Sequence, residues 1–389
     1  MPHLNTGTWI DSLDTDVIPY LYDKEYDYYY PTKSMLEIKN KDLLISYAQE
    51  AYKQIIKEVQ FDFERDDPFI FRNEFVFKKI MTKEDLYSNI LRFDFVRTLD
   101  NDYKLIEANA DTPCAIPETF YGNFIAIPNQ DKENVANKRL AEIFINECNK
   151  VKLKHNYTTI NIAFAASDEY IEDWANAQYL YENFKRFNTH KEYNAFLVPL
   201  SQLAIYDDDK RCGVYFEDNM IDVLYRLHPV EMMINDISED GYSVGLKLIE
   251  FHYNDIVKLI NPPGSIFLQN KELFKYLFGM SFIPKTLNGS SQFNRKVIAK
   301  PIFGREGDGI QIFNNMNECR NRLYKLSDYL IQEYIEQPTE QIETVINRDI
   351  LNAYITYSIF MLNGYPSVLY TRASVNPVCG VDAFWIPCY

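Results

Sequence analysis

The chain has 389 residues, a formal net charge of −16 and an apolar content of 47%. Its length predicts about two to three structural units. The acidic charge argues against a nucleic-acid partner, because phosphate backbones would be repelled, and it favours solubility or a cationic partner such as a polyamine.

The cysteines and the first residues of the chain predict the cellular compartment of the protein. Six cysteines are scattered along the chain, without a CxxC pair or a zinc-ligand spacing. This pattern is typical of a reducing cytoplasm. The opening stretch MPHLNTGTWIDSLDTD has neither the basic nor the apolar region of a signal peptide. No run approaches the ~18 apolar residues that a membrane span needs, so we predict a cytoplasmic protein without a membrane partner.

Helices and strands alternate along the first two thirds of the chain. An amphipathic helix comes first, with its apolar side formed by Leu43, Leu44, Tyr47, Ala51, Ile55 and Val59. Two strands follow in LYSNILRFDFVRT and KLIEANADTP, separated by the turn-forming DNDY. Next come a helix in ENVANKRLAEIFINECNKVK, a strand in TINIAFAAS, a helix in DEYIEDWANAQYLYENFKRF, and strands in NAFLVPLSQL, GVYFE and IDVLYRL. This alternation predicts an α/β architecture with partly parallel sheets.

The C-terminal part predicts a hairpin and two long strands. The segment PPGSIFLQNKELFKYLF begins as a loop and becomes helical. The strand KVIAKPIF, the loop GREGDG and the strand GIQIF form an antiparallel hairpin with a glycine tip. A helix in ECRNRLYKLSDY and a strand in LIQEYI precede two strands around the turn NGYP. We find no internal repeat and no clear linker.

The glycine loop concentrates a scarce residue. Gly304, Gly307 and Gly309 lie within six positions of a chain that has only 13 glycines. Tandem glycines let backbone N–H groups approach phosphate oxygens, although neither a P-loop nor a G-x-G-x-x-G motif is present. A strand–loop–strand lid with Lys300 on its incoming strand is another way to cover nucleotide phosphates. A glycine hairpin without special chemistry explains the loop equally well.

Polar side chains alternate on two adjacent strands. Arg92 and Asp94 share one face of RFDF, and Glu107, Asn109 and Asp111 share one face of LIEANADTP. Oxygen ligands of this kind suit Mg²⁺, and the arginine suits a charged substrate. The alternation alone fits better with an ordinary half-buried strand whose polar face meets solvent.

Eight segments occur in one order: RFDF, LIEANADTPCA, YIEDWANAQYL, YRLHPVEMM, LQNKELF, AKPIFGREGDGI, LIQEYI and YTRASV…GVDAFWIP. This order resembles the synthetase domain of glutathionylspermidine synthase, and especially its stand-alone acid–amine ligase type. The resemblance runs from about residue 20 to the C terminus. It implies an ATP-grasp fold with a preceding α/β pre-ATP-grasp region and a glycine-rich antiparallel lid.

The resemblance also implies one catalytic unit in three parts. Residues 1–125 would carry the metal and substrate strands, 126–255 the pre-ATP-grasp substrate region, and 256–389 the lid and the C-terminal catalytic region. The implied reaction uses ATP and two Mg²⁺ ions to join a small-molecule acid, such as glutathione, to an amine, such as a polyamine. An acyl phosphate would be the intermediate.

The implied nucleotide and metal residues follow from matching positions. The metal ligands would be Asp94, Glu107 and Asn109. The cofactor-binding residues would be Lys271 and Lys300 on the phosphates, Gln332 beside the adenine, and Gly304, Arg305, Gly307 and Gly309 in the lid.

The implied catalytic and substrate residues follow in the same way. Arg92 and Arg372 would lie near the reacting carboxylate and the transferred phosphate. The acid and the amine would be surrounded by Thr112, Cys114, Glu172, Asp173, Arg305 and Asp382. Acids such as Glu172 and Asp173, which open a predicted helix, are also stabilised there by the helix dipole.

Departures from the family pattern affect the interpretation. No amidase domain precedes the synthetase region, so we do not predict a bifunctional hydrolase. Cys114 replaces a serine, and His228 and Val230 replace an aromatic pair. We interpret Cys114 as a pocket-wall residue and His228 as a structural one, since nothing nearby in sequence would activate the thiol. Two alternatives remain open: an ATP-grasp peptide ligase acting on another precursor, and a catalytically inactive nucleotide-binding protein.

Overall fold

The structure is a computed structural model that describes residues 6–25, 27–65, 76–239, 241–277, 279–302, 304 and 307–389. It is a mixed α/β fold with several sheets, as the alternation of elements predicts. Within these ranges, no helix combines the length and the apolar character that crossing a bilayer requires.

The helices lie around the sheets. The α-helices are Lys41–Phe63, Asn123–Ala126, Gln130–His155, Ile171–Phe187, Val230–Met233, Val244–Tyr253 and Met316–Arg322. The 3₁₀ helices are Trp9–Ser12, Val76–Lys79, Lys83–Asp85, Leu200–Gln202, Pro263–Gln269, Lys271–Lys275 and Leu326–Asp328, and Glu118–Gly122 is a π-helix. The first long helix buries Leu44, Ala51, Ile55 and Val59, so its predicted apolar face is confirmed.

The largest sheet, called here the central sheet, is antiparallel and joins distant parts of the chain. Its strands, in spatial order, are Phe384–Ile386, Tyr365–Ser374, Ile350–Leu362, Ile90–Arg97 and Tyr103–Asn109, with Thr339–Glu343 pairing with Ile350–Leu362. Leu91, Phe93 and Phe95 pack in a core with the Lys41–Phe63 helix. Because strand side chains alternate, Arg92 and Asp94 project from the opposite face, as predicted.

A parallel sheet forms the second layer. Its strands, in spatial order, are Lys258–Ile260, Val223–Arg226, Ile160–Ala166 and Tyr193–Pro199. The Gln130–His155 and Ile171–Phe187 helices cover one face, where Phe144 and Phe184 meet Phe164. The other face packs against a three-stranded sheet of Leu203–Asp207, Cys212–Phe216 and Asn219–Ile221. The prediction of partly parallel sheets is confirmed.

The fourth sheet, called here the hairpin sheet, contains the glycine loop. Its strands, in spatial order, are Thr286–Leu287, Tyr329–Glu333, Val297–Pro301 and Gln311–Phe313, all antiparallel. The predicted hairpin is confirmed by the pairing of Val297 with Phe313. The remaining sheet of the described ranges is a two-stranded antiparallel ladder of Tyr22–Asp23 and Tyr28–Tyr29.

Two predicted helices and one predicted strand differ from the observed elements. The segment from Pro262 forms two short 3₁₀ helices, because the extended backbone of Asn270 interrupts the helical turns. The helix predicted in ECRNRLYKLSDY ends at Arg322, and a separate 3₁₀ turn, Leu326–Asp328, follows. The strand predicted in NAFLVPLSQL is divided by the turn Leu200–Gln202.

Candidate active site

Two adjoining cavities lie between the sheets. A wide cavity of about 430 Å³ lies beside the central sheet and the start of the Ile171–Phe187 helix. A narrow cavity of about 90 Å³ lies between the central sheet and the hairpin sheet. The wall that they share is formed by Glu107, Lys271, Gly304, Gly307, Arg372 and Cys379. A molecule in one cavity therefore lies next to a molecule in the other.

Asp94 is the centre of a buried polar cluster on the central sheet. Its carboxylate accepts two hydrogen bonds from Arg92, from Nε at 2.8 Å and from Nη2 at 2.9 Å. Arg372 Nη2 and Asn109 Nδ2 lie 3.4 Å and 3.3 Å from Asp94 Oδ2. Burial alone would raise the pKa of Asp94, but the Arg92 and Arg372 charges outweigh it and hold the pKa below its usual range. Asp94 is therefore a carboxylate at neutral pH.

The sheet register explains why these side chains meet. Asp94 lies opposite Glu107 on one neighbouring strand and opposite Ser358 on the other. Arg92 lies opposite Asn109. Arg372 extends from Tyr365–Ser374, the strand on the other side of Ile350–Leu362. Six polar side chains thus project from one face of four neighbouring strands.

Arg372 combines a charge with an unused donor. Its Nε atom is buried and has no hydrogen-bond partner in the described part of the chain. By contrast, Arg92 uses its third nitrogen, Nη1, to donate to the Cys114 carbonyl at 3.0 Å. A buried donor without a partner costs free energy, so Arg372 is suited to bind an anion at the shared wall.

Two buried lysines flank the narrow cavity. Lys271 Nζ lies 2.9 Å from Glu107 Oε1 and donates to the Gly304 carbonyl at 2.7 Å. Lys300, 5% exposed, donates to the Ile106 carbonyl at 3.0 Å. Burial lowers the pKa of Lys300 to about 8, with Glu107 opposing and Lys271 reinforcing the shift. Two cations therefore converge on the junction of the cavities.

Part of the narrow cavity wall combines apolar side chains with a buried amide. Ile298 and Ile335 line it together with Gln332, which is fully buried. Gln332 Nε2 donates to the Pro284 carbonyl at 3.4 Å, whereas its Oε1 has no partner in the described ranges. This part of the wall suits a flat apolar ring that carries one hydrogen-bond donor.

Oxygen donors for a hard cation lie beside the lysines. Asp94 and Glu107 supply carboxylates and Asn109 supplies an amide oxygen. Among the described residues, no three His, Cys, Asp or Glu side chains are grouped as a metal site. Mg²⁺ is commonly held by one or two carboxylates and completes its shell with phosphate and water oxygens, so this donor set fits that ion.

The loop glycines are required by backbone geometry. Gly307 has φ +77°, and a Cβ there would lie 3.0 Å from the Cys379 carbonyl oxygen. Gly309 has φ +68°, and its Cβ would lie 2.8 Å from Pro301 Cγ. Gly304 and Gly307 line both cavities, whereas Gly309 lines neither. Arg305 lies outside the described residues.

The predicted substrate residues separate into two groups. Thr112, Cys114, Glu172 and Asp173 line the wide cavity. Asp382 is exposed and is not part of that wall, although its neighbours Val381 and Ala383 are. Burial raises the pKa of the Cys114 thiol to about 12, and Asp173 adds to the effect. The thiol is therefore protonated at neutral pH, in agreement with a pocket-wall role.

The sequence matches a family model described as glutathionylspermidine synthase preATP-grasp over residues 48–389. The chain belongs to this family. Its fold is similar to that of a glutathione synthetase-like effector from Globodera pallida, solved in the apo form. That likeness has a TM-score of 0.60 at 10% identity and covers 92% of this chain and 90% of the other. Membership of this family supports a ligase-type role, and the structural likeness shows the fold.

Membership of the glutathionylspermidine synthase family does not by itself account for every polar residue of the wide cavity. Glu118, Tyr20 and Tyr370 line it, and sequence reasoning did not select them. The sequence signal is faint: Glu118 is one acid within the apolar stretch CAIPETF.

Asp111 corrects one expectation from the sequence. The strand ends at Asn109, so Asp111 leaves the face that Glu107 and Asn109 share. It lies instead 2.6 Å from Arg226 Nη2, and the Val230 amide donates to it at 2.7 Å. Asp111 is thus a structural residue. His228 is also structural, with Nε2 2.7 Å from Asp236 Oδ2.

Proposed function

We propose that the protein is an ATP- and Mg²⁺-dependent ligase of the ATP-grasp type that joins a carboxylate to an amine through an acyl phosphate. The observation that carries this proposal is the shared wall of the two cavities. A nucleotide in the narrow cavity would present its terminal phosphate to an acid in the wide cavity, beside Arg372 and Lys271. Both cavities draw residues from more than one of the predicted parts, which supports a single catalytic unit.

The residues that line the narrow cavity suit the adenine and the phosphates of ATP. Gln332 Oε1 is buried and has no partner among the described residues, so it can accept a hydrogen bond from the adenine amino group between apolar walls. Lys271 and Lys300 would neutralise the phosphates, and the Gly307 backbone would cover them. Asp94, Glu107 and Asn109 would hold Mg²⁺, which would screen the phosphate charge.

The shared wall suits phosphoryl transfer. An oxygen of the acid substrate attacks the terminal phosphorus, the bond to the leaving ADP oxygen breaks, and an acyl phosphate forms. This reaction needs alignment and charge neutralisation rather than covalent help from the protein. Arg92 and Arg372, both held on Asp94, place two guanidinium groups at the side of the wide cavity where the acid would lie.

The acidic residues of the wide cavity suit an amine. Glu118, Glu172 and Asp173 line this cavity and give its wall negative charge. An alkylammonium group is attracted to such a wall. The name of the family points to glutathione and spermidine as the first acid and amine to test.

A peptide ligase that adds an amino acid is the second candidate. The acidic wall disfavours it, because the carboxylate of an incoming amino acid would be repelled by the same acids that attract its amine. A nucleotide-binding protein without catalysis is the third, and the retention of the lysines, arginines and carboxylates together weighs against it.

The experiment is ADP release by purified protein with ATP and Mg²⁺, with glutathione, spermidine, both, or neither. We expect release that needs both partners and is abolished in Lys300→Ala. Lys138→Ala is the matched control, since Lys138 is an exposed helix residue paired with Glu142 at 3.9 Å and lines neither cavity. Turnover with other acids or amines only would reject these substrates. ATP binding without turnover on any pair would reject the ligase.

A further inference from the structure

One buried acid of the wide cavity has a carboxylate oxygen without a partner in the described part of the chain. Glu118 is 3% exposed, lines the cavity wall, and its Oε2 makes no hydrogen bond within the described residues. The Tyr20 hydroxyl lies on the same wall and is close enough to act on the Glu118 carboxyl as a hydrogen-bond donor. A buried carboxylate oxygen without a partner is costly, so Oε2 of this cavity-lining residue indicates a ligand that supplies a donor.

The backbone around Glu118 is anchored, so the carboxyl group has a fixed position. Glu118 begins the π-helix Glu118–Gly122, a type of turn that is frequent at functional sites. Thr119 Oγ1 donates to the Ala115 carbonyl at 2.5 Å, and Asn123 Nδ2 donates to the Leu369 carbonyl at 2.8 Å. Gly122 lies against the Trp385 ring.

The groups around Glu118 leave its charge uncompensated. Those that act on it are Tyr20, Tyr30, Arg92, Cys114, Glu172 and Tyr370. Arg92 is the cation of this set, and its nitrogens already donate to Asp94 and to the Cys114 carbonyl. No salt bridge to Glu118 is present in the described chain, which leaves its carboxylate available to a ligand cation.

The same surroundings allow Glu118 to exchange a proton near neutral pH. Burial raises the pKa of the Glu118 carboxyl to about 7. Its own backbone amide, the Tyr20 hydroxyl and the Arg92 charge oppose this shift, and the Glu172 charge reinforces it. A carboxyl group of this kind is suited to general base catalysis.

Resting on the proposed function, we propose that Glu118 binds the ammonium group of the amine substrate and accepts one of its protons, which makes the amine a nucleophile. The neutral nitrogen then forms the C–N bond to the acyl carbon. The C–O bond to phosphate breaks, and phosphate leaves with the electron pair and takes the second nitrogen proton. Glu118 returns its proton to water after the amide departs.

The first test is the binding of spermidine to the ligand-free protein by isothermal titration calorimetry. Glu118→Gln keeps the size of the side chain and removes its charge. The wild type is expected to bind at least about tenfold more tightly than Glu118→Gln at about pH 8. Its affinity should rise between about pH 6 and about pH 8, since the carboxylate is the binding form, whereas that of the variant should stay level over this range.

The second test separates proton transfer from binding. With ATP, Mg²⁺ and glutathione, Glu118→Gln should form the spermidine amide about 10²–10⁴-fold more slowly than the wild type. Hydroxylamine, which is already neutral at neutral pH, should give hydroxamate at close to the wild-type rate. Glu147→Gln is the control, because Glu147 is also buried, pairs with Lys150 at 2.6 Å and lies outside this cavity.

The outcomes below apply to variants that show a cooperative unfolding transition and are therefore folded. Equal spermidine affinity and equal pH dependence in the wild type and Glu118→Gln would overturn the proposal. An equal loss of amide and hydroxamate would also overturn it, since that result indicates a structural role. Altered spermidine binding in a protein that releases no ADP with any acid would support Glu118 as the amine-binding residue and reject the ligase function.

Discussion

Arg372 is the side chain that faces both cavities with an unused buried donor. If it stabilises the charge that develops on the transferred phosphate, Arg372→Ala should lower kcat for ADP release by roughly 10²–10³-fold. Arg186→Ala is the matched control, because Arg186 is on the surface and donates to Asn134 at 2.7 Å. A near-normal kcat for folded Arg372→Ala would contradict this role.

The lowered pKa of Lys300 predicts that nucleotide binding depends on pH. Burial lowers the pKa of Lys300 to about 8, so the side chain loses its charge as the pH rises through that value. The affinity for Mg²⁺ and a non-hydrolysable ATP analogue should therefore fall between about pH 7 and about pH 9.5. Calorimetric titrations of the wild type and Lys300→Arg would test this, since arginine keeps its charge over that range. Parallel pH profiles would assign the effect to another group.

The π-helix that carries Glu118 depends on a glycine. A Cβ at Gly122 would lie 2.2 Å from Trp385 Cη2, a ring atom of a fully buried side chain. Gly122→Ala should therefore lower the free energy of unfolding by about 1–3 kcal/mol. Gly289→Ala is the control, because its added Cβ would meet only Leu326 Cδ1 at 3.6 Å. Equal denaturant midpoints for the two variants would show that Trp385 can move aside.

Elements with regular spacing could be predicted from the sequence, and irregular ones could not. The apolar face of the Lys41–Phe63 helix and the alternation that sets Arg92 and Asp94 on one face follow directly from helical and strand periods. Asp111 departs from the alternation because the strand ends two residues earlier. Glu118 could not be selected, since only tertiary burial distinguishes it from a surface acid.

Local spacing in the sequence cannot predict which distant segments contact one another in the fold. Asp94 and Arg372 are separated by 278 positions and contact one another through two intervening strand pairings. Sequence patterns predicted each strand separately, whereas the resemblance to the glutathionylspermidine synthase family placed these residues in one site. The family match over residues 48–389 confirms that resemblance. The roles of the individual residues remain predictions.

A buried ion pair connects the central sheet to the parallel sheet. The side chains of Asp111 and Arg226 are fully buried 2.6 Å apart, and Asn261 donates to the Asp111 carbonyl at 2.8 Å. Asp111→Ala would leave Arg226 as an uncompensated buried charge and should cost about 3–5 kcal/mol of unfolding free energy. Chemical denaturation would measure the loss.

The control for that prediction is an exposed ion pair. Glu142 lies 3.9 Å from Lys138 on the helix surface, and Glu142→Gln should change the unfolding free energy by less than about 1 kcal/mol. A similar small change in Asp111→Ala would show that water or a shifted neighbour compensates Arg226, and that the two sheets are joined mainly by their apolar contacts.

The order of strands in the central sheet affects how the protein is made. Ile90–Arg97 lies between Tyr103–Asn109 and Ile350–Leu362, which leaves the ribosome roughly 250 residues later. At about 5–20 residues per second, this interval lasts about 12–50 seconds. Throughout it, one edge of Ile90–Arg97 has unpaired N–H and C=O groups beside apolar side chains. Nascent chains therefore expose an aggregation-prone edge for tens of seconds, and their yield should depend on chaperones and on the temperature of synthesis.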